Sequence, residues 1–152
     1  MNTRRVATRG IIFKDGKLLV AKFIMRDGSE SEHWGTFGGG LDDGESLTDG
    51  LHREMIEETG IVPKAGKLLF IQQFGVGEKE NLEFFFHIEN PEDYENIKFE
   101  ETTHGHVELA RHEFVDPATE PVLPAFLRTI DIEDYIKNDR PVFIWNDYTP
   151  FK

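Results

Sequence analysis

The chain has 152 residues, which predicts one domain over residues 1–152 with a sizeable hydrophobic core. Its formal net charge is −12 and it has no extended basic stretch, which argues against a nucleic-acid polymer as partner. It has no cysteine for disulfides or thiol chemistry, and no apolar run of about 18 residues that would cross a membrane. We therefore expect a cytoplasmic protein without membrane contact.

The first forty residues predict a β-hairpin followed by a glycine-rich segment. Strands are predicted at residues 5–13 and 18–23, and residues 14–17 carry the Asp-Gly signal of a tight hairpin turn. Residues 26–33 are polar and predict a loop. A short strand is predicted at residues 34–37, directly before a run of three glycines.

A helix is predicted between Ser46 and Gly60. Ser46 is a favourable N-cap with Asp49 three residues later, as in a capping box. Gly60 stands where a left-handed glycine commonly ends a helix, and Pro63 prevents continuation. Gly50 inside the helix costs up to about 1 kcal/mol relative to alanine, which suggests close packing at that position.

The rest of the chain predicts further strands and a second helical region. Strands are predicted at residues 68–74, 82–88, 106–115 and 142–145, a loop at 90–105, and a helix in one or two pieces at 121–137. The second of these strands lacks a polar–apolar alternation, which indicates a central strand covered on both faces. Strands alternating with two main helices predict an α/β (α+β) fold with a mixed central sheet.

Three carboxylates occupy one face of the first predicted helix. Glu54, Glu57 and Glu58 stand at positions i, i+3 and i+4, which are neighbours on a helix surface. Like charges at this spacing repel by about 0.2–0.5 kcal/mol per pair. Mg²⁺ and Mn²⁺ prefer carboxylate oxygens, so the acidic face behind a glycine-rich loop predicts a site for a hard divalent cation. An acidic protein also needs such a cation if its substrate is a polyphosphate.

Residues 39–61 resemble the Nudix box at every defined position. Gly39 is followed after five residues by Glu45, and after seven more by the sequence Arg-Glu-Met-Ile-Glu-Glu-Thr-Gly-Ile that begins at Arg53. A tryptophan and a glycine pair precede the box as in the family, although Phe37 stands where proline is usual. Nudix proteins are mostly Mg²⁺-dependent hydrolases that cleave a pyrophosphate linkage. The resemblance therefore implies a Nudix α/β/α sandwich and this type of reaction.

The resemblance also assigns roles to residues of the box. It implies that Glu54, Glu57 and Glu58 bind Mg²⁺, or Mn²⁺, together with the main-chain carbonyl of Gly39. Arg53 resembles the orienting arginine of the family, whose planar fork can fix the rotamer of a carboxylate. Glu57, Glu54 and Arg53 are accordingly catalytic candidates.

Nudix members take the general base either from a glutamate of the box or from a later segment. Glu113 is the preferred later candidate, because an aromatic residue and a valine follow it as in many members. Glu108 is the next choice, and Glu100 and Glu101 are also considered. For each of them an ordinary surface charge is the competing interpretation.

Other side chains permit competing interpretations. His104, His106 and His112 offer a transition-metal cluster, but a glycine between the first two favours a solvent-exposed loop. The chain has no P-loop, no HExxH sequence and no GxSxG elbow, which removes the main rival enzyme classes. Four aromatic rings are candidates for stacking on a nucleobase, although core packing is favoured for each: Trp34, Phe37, Phe74 and Phe114.

The leading interpretation is a Mg²⁺-dependent Nudix pyrophosphohydrolase acting on a nucleoside triphosphate or a nucleoside diphosphate derivative. The alternative is a catalytically inactive nucleotide-sensing domain, but such domains typically lose the arginine and glutamates that are intact here. An isomerase on the same scaffold normally needs additional His or Cys ligands. The expected partner is a small nucleotide, with selectivity in the loops 26–33, 75–81 and 90–105, and homodimer formation is left open.

Overall fold

The computed structural model describes residues 3–148 of the chain. The strands and helices in chain order are β1 Thr3–Ile11, β2 Phe13–Lys14, β3 Lys17–Phe23, β4 Phe37–Gly40, α1 Leu47–Thr59, β5 Ala65–Val76, β6 Lys79–Ile88, α2 Gly105–Glu108, β7 Leu109–Val115, α3 Ile132–Lys137 and β8 Phe143–Tyr148. Short 3-10 turns lie at Pro91–Tyr94, Phe99–Glu101 and Ala125–Arg128. Within the described part, no helix is long and apolar enough to cross a membrane.

The strands form two sheets. The larger sheet has the order β4-β1-β6-β5-β8 and is mixed, because β1 runs parallel to β6 and β5 parallel to β8, whereas the other pairs are antiparallel. The smaller sheet has the order β2-β3-β7 and is antiparallel. Helix α1 packs against β1 and β4. The predicted α+β fold with a mixed central sheet is confirmed.

Strand β6 lies at the centre of the larger sheet, as its sequence predicted. Phe85 points into one hydrophobic core, while Phe86 and Ile88 point into the other. The first core also contains Phe126 of the 3-10 turn, and the second contains Leu51 of α1. Both faces of the sheet are therefore covered, which explains why apolar residues run on without alternation in β6.

The predicted hairpin is present, but the first predicted strand is divided. Lys14 pairs with Lys17, and the two residues between them, Asp15 and Gly16, have φ angles of 52° and 77°. Positive φ at both positions is the requirement of a type I′ turn, which matches the twist of the flanking strands. Ile12 separates β1 in the larger sheet from β2 in the smaller one. A change of sheet within one apolar run leaves no signal in the sequence.

The glycine run itself forms a strand, so the prediction of a strand at residues 34–37 was wrong. Strand β4 covers Phe37–Gly40 and pairs with β1, whereas Trp34 makes only an isolated bridge. Gly38 has a φ of 133°, and a Cβ atom there would lie 2.0 Å from the main-chain oxygen of Thr8. Close approach of two main chains selects glycine here, although glycine is a poor strand former in general.

Helix α1 has the predicted ends. The side chain of Ser46 accepts a hydrogen bond from the Asp49 amide at 3.1 Å, and Gly60 follows the helix with a φ of 75°. The close packing expected at Gly50 is also present, since a Cβ atom there would lie 2.2 Å from Cδ2 of Leu41. The two caps and the packing at Gly50 set the position of α1, and therefore the position of its acidic face.

One later prediction needs correction, and the structure decides between the two alternatives of another. The strand predicted at residues 106–115 starts only at Leu109, because the preceding residues form the turn of helix α2. That turn packs on the end of α1, where a Cβ atom on Gly105 would lie 2.3 Å from the main-chain oxygen of Glu58. The helical region, predicted at residues 121–137 in one or two pieces, forms in two, the turn Ala125–Arg128 and α3.

Candidate active site

A polar cleft of about 500 Å³ lies beside the acidic face of α1. Strands β1 and β4, helix α1 and the region of α2 supply its walls. The lining residues are Arg5, Arg9, Phe23, Gly38, Gly39, Gly40, Asp42, Arg53, Glu54, Glu57, Glu58, His104 and Glu108. The structure thus brings the glycine run, the arginine and the three glutamates of the box to one place.

Arg53 organises the carboxylates of this cleft. Its Nε and Nη2 atoms donate to the two carboxylate oxygens of Glu45 at 2.8 and 2.9 Å. Its Nη1 atom donates to both Glu54 and Glu57 at 3.1 Å, and Nη2 also donates to the Gly40 carbonyl. The bidentate pair lowers the pKa of the Glu45 carboxyl to about 2. Arg53 therefore fixes the directions of side chains that would otherwise repel one another.

Glu58 and Glu54 are held in a poorly hydrated part of the cleft. Glu58 is only 5% exposed, and its Oε2 atom accepts a hydrogen bond from the Gly38 amide at 2.8 Å. Burial raises the pKa of the Glu58 carboxyl to about 8, although the Gly38 amide and Arg9 act in the opposite direction. Burial also raises the pKa of Glu54, against the effect of Arg53. Both groups lie where an additional positive charge would favour ionisation.

The chemistry of the cleft fits a hard divalent cation. Its candidate donors are carboxylate oxygens and the main chain of Gly39, where a Cβ atom would lie 2.7 Å from the Glu54 carboxylate. Only glycine leaves this space beside the carboxylate. Among residues 3–148, no three His, Asp or Glu side chains already converge as a cation site. Arg53 engages Glu54 and Glu57 in this structure, and the Gly38 amide engages Glu58.

Sequence reasoning did not assign His104, Arg5 or Arg9 to the cleft. Nδ1 of His104 lies 3.0 Å from the Glu57 carboxylate, and its amide donates to the Glu57 carbonyl at 2.9 Å. Arg5 and Arg9 also line the cleft, and Nη1 of Arg9 donates to the Gly38 carbonyl at 3.0 Å. A spacing of four residues on a strand puts both arginines on one face, which was the available signal. Nothing local in the sequence places His104 at the end of α1.

The general-base candidates that follow the box in the chain lie in different places in the structure. Glu113 is exposed on β7, opposite Val20, and does not belong to the cleft lining. Glu108 does line the cleft, and its charge contributes to raising the pKa of Glu58. Glu100 and Glu101 are exposed in a 3-10 turn outside the lining.

The three histidines face different partners. Whereas His104 contacts α1, Nδ1 of His106 lies 2.8 Å from the Thr102 carbonyl and Nε2 of His112 lies 3.0 Å from the Ile97 carbonyl. Over the described range 3–148 they form no transition-metal cluster.

Of the four aromatic candidates, three lie in or against the two cores and one lines a surface cavity. Trp34 and Phe37 are 5% and 1% exposed and belong to the two cores, as predicted. Phe114 packs against the core as a partly buried side chain. Phe74 instead lines a second cavity beside the cleft, together with Trp145, which sequence reasoning had not singled out.

Solved structures of other proteins share this fold. A UDP-X diphosphatase is 23% identical, with a TM-score of 0.66 over 95% of this chain and 68% of the other. A MutT NUDIX hydrolase from Burkholderia pseudomallei is 18% identical, with a TM-score of 0.66 over 85% and 99%. An ADP-ribose pyrophosphatase from Streptococcus suis is 18% identical, with a TM-score of 0.57 over 94% and 99%.

The mixed sheet of the fold and the acidic helix beside a glycine strand both point to a single protein family. The NUDIX domain model matches residues 3–129, which is most of the chain. The chain belongs to the Nudix family. The predicted membership of the Nudix family is confirmed.

Proposed function

We propose that the protein is a Mg²⁺-dependent hydrolase of a pyrophosphate bond in a nucleoside triphosphate or a nucleoside diphosphate derivative. The observation that carries the proposal is the arrangement of Glu54 and Glu57 around Arg53 in one cleft with Glu58 and the glycine strand. Two proteins of the same fold support it by their names, UDP-X diphosphatase and ADP-ribose pyrophosphatase, since both names describe nucleoside diphosphate derivatives.

In this proposal Mg²⁺, or Mn²⁺, is held by Glu54, Glu57, Glu58 and the Gly39 carbonyl. When bound, the cation neutralises phosphate oxygens and lowers the pKa of water. Arg53 keeps the glutamate side chains in fixed directions, so that they need not reorganise as charge develops.

Arg5 and Arg9 supply the positive charge that an acidic protein needs to bind a polyphosphate. Both lie on β1 at the edge of the cleft. A guanidinium group matches the geometry of phosphate oxygens and stays charged at all relevant pH values. We assign to them the binding of phosphates that do not react.

Glu108 is the general base in this proposal, in place of Glu113. It lines the cleft and its charge acts on Glu58, whereas Glu113 lies outside the cleft lining. Loss of a general base typically lowers the rate about 10²- to 10⁴-fold. Glu108→Gln should therefore lower kcat by about that factor, while Glu113→Gln should leave it near the wild-type value. The reverse result would assign the base to Glu113.

The function is tested by incubating the protein with nucleoside triphosphates, nucleoside diphosphate sugars, ADP-ribose and dinucleoside polyphosphates. With Mg²⁺, at least one compound should release phosphate, pyrophosphate or a nucleoside monophosphate, and EDTA should abolish the release. Glu57→Gln should lose activity by about 100-fold or more, because it replaces a negatively charged carboxylate ligand of the cation by a neutral amide. Glu133→Gln makes the same chemical change on α3, outside the cleft, and should keep full activity.

Two outcomes would contradict the proposal. Normal turnover by Glu57→Gln would show that the acidic face of α1 does not hold the cation. Binding of nucleotides by the wild type without hydrolysis of any compound would favour the nucleotide-sensing domain instead.

A further inference from the structure

Each of the three glutamates of the acidic face has one carboxylate oxygen engaged by the protein. Oε1 of Glu54 and Oε2 of Glu57 accept hydrogen bonds from Arg53. Oε2 of Glu58 accepts from the Gly38 amide. The hydrogen bonds in the described part of the chain leave the other oxygen of each carboxylate unused. A carboxylate that is held by one oxygen keeps the second one available as a metal ligand.

Glu57 is the carboxylate with the least support from packing, and a second side chain holds it. The Glu57 side chain is 24% exposed, against 16% for Glu54, and Glu58 is buried. Its Oε2 atom accepts from Arg53 at 3.1 Å and lies 3.0 Å from Nδ1 of His104. A carboxylate oxygen accepts hydrogen bonds, so Nδ1 of His104 is the donor in this contact. Both donors thus act on the same oxygen of Glu57.

The main chain of His104 is fixed against the end of α1. The His104 amide donates to the Glu57 carbonyl at 2.9 Å, and Oγ1 of Thr103 donates to the same carbonyl at 3.4 Å. The last carbonyls of a helix lack partners inside it, and this segment satisfies one of them. At the next residue, Gly105, a Cβ atom would lie 2.3 Å from the main-chain oxygen of Glu58. The half-exposed His104 side chain therefore extends from a main chain whose position the helix end determines.

We propose that His104 is a positioning residue of the cation site, an inference that rests on the proposed function. Together with Arg53 it holds Oε2 of Glu57, which restricts rotation of the carboxylate and keeps Oε1 available for the cation. Arg53 divides its donors among several carboxylates, whereas the His104 ring, among residues 3–148, hydrogen-bonds Glu57 alone. An ion pair that only stabilised the surface could be removed without a change in the affinity for the cation.

The test measures binding of Mn²⁺, which takes the same oxygen ligands as Mg²⁺, and does not depend on turnover. Free Mn²⁺ is followed by electron paramagnetic resonance during a titration without nucleotide, and the site is defined as the one that Glu57→Gln removes. His104→Ala should raise the Kd of this site about 10-fold or more, as is typical when a group that orients a metal ligand is lost. His104→Asn should restore the Kd to within about threefold of the wild type, because its amide nitrogen is bonded to Cγ as Nδ1 is.

His52→Ala is the matched control. His52 is an exposed histidine of the same helix α1 and does not belong to the cleft lining, so this variant should keep the wild-type Kd. If His104→Ala does not fold, His104→Leu takes its place, since leucine keeps the bulk of the side chain but has no donor. Comparison of the leucine and asparagine variants then isolates the effect of the donated hydrogen bond.

Three outcomes would overturn the inference. The first is an unchanged Kd in His104→Ala, and the second is a weakened site that His104→Asn does not restore. Either result, with a wild type that binds Mn²⁺ through Glu57, would leave the proposed function intact. The third is a wild type with no Mn²⁺ site that depends on Glu57, which would contradict the proposed function as well.

Discussion

Arg53 shows how one side chain determines the geometry of the candidate site. Its bidentate contact with Glu45 leaves Nη1 directed at Glu54 and Glu57. The guanidinium group thereby compensates the repulsion between glutamates on the same helix face. A lysine would keep the positive charge but would lack the fork that reaches all three carboxylates.

We therefore predict that Arg53→Lys lowers kcat/KM about 10- to 100-fold and raises the Mg²⁺ concentration needed for half-maximal rate, as is typical when a residue supporting metal ligands is changed. Initial rates measured over a range of Mg²⁺ concentrations check this. Arg128→Lys makes the same change at an exposed position outside the cleft and serves as the control. An unchanged Mg²⁺ requirement in Arg53→Lys would show that Arg53 does not orient the ligands.

At the scale of an element, strand β4 shows how the packing of two strands determines the geometry of the site. Its main chain approaches β1 so closely at Gly38 that no side chain fits, and the amide of Gly38 donates to Glu58. The approach of two strands thus positions a buried carboxylate of α1. The contact between β4 and α1 joins the glycine run and the acidic face into one site.

Gly38→Ala should destabilise the protein by about 3 kcal/mol or more, because it combines an unfavourable φ with a clash against main chain. Gly44→Ala is the comparison, since Gly44 also has a positive φ of 75° but no atom lies within 4 Å of its Cβ position. That substitution should cost only about 1–2 kcal/mol. Unfolding in urea measures both values, and equal losses would contradict the close approach of β4 and β1.

The contact of Glu45 with Arg53 ties the loop before α1 to the helix, and it should make stability depend on pH. The pKa of the Glu45 carboxyl falls from its ordinary value of 4.5 to about 2 in the folded protein. A lowered folded-state pKa gives stability that is fully present above pH 4.5 and is lost as the pH falls towards 2.

The free energy of unfolding of the wild type minus that of Glu45→Gln should therefore be constant near neutral pH and should shrink below about pH 4.5. Urea unfolding of both proteins at a series of pH values gives this difference. A difference that grows on acidification would show that the pKa shift has the opposite sign.

At the scale of the whole molecule, the feature to consider is the last described strand, β8. The NUDIX domain model ends at residue 129, yet β8 continues the larger sheet by pairing in parallel with β5. Phe143 of β8 packs against the first core and lies 5.6 Å from the Phe126 ring. Residues beyond the family match thus cover the same core as the residues within it.

We expect residues 1–152 to unfold as one cooperative unit, because no element between 3 and 148 has a core of its own apart from these two shared clusters. Thermal unfolding followed by far-ultraviolet circular dichroism and by tryptophan fluorescence should give coincident transitions. Fluorescence reports on Trp34 in the first core and on Trp145 in β8. Separate transitions would contradict a single domain.

The sequence by itself determined the parts of this protein that depend on local chemistry. Helix α1 was predictable because Ser46 and Gly60 satisfy helix ends by local hydrogen bonding, and the acidic face follows from the helical repeat. The hairpin turn at Asp15 and Gly16 was predictable for the same reason. The family of the chain followed from side chains that lie within one short segment.

Only the tertiary structure decided what depends on residues distant in the chain. The glycine run became strand β4 because β1 lies against it, and His104 reached Glu57 because the turn of α2 packs on the end of α1. Glu108 entered the cleft while Glu113 remained outside it, although both follow the box in sequence. Contacts between separate elements arise from packing in three dimensions, and spacing along the chain does not encode them.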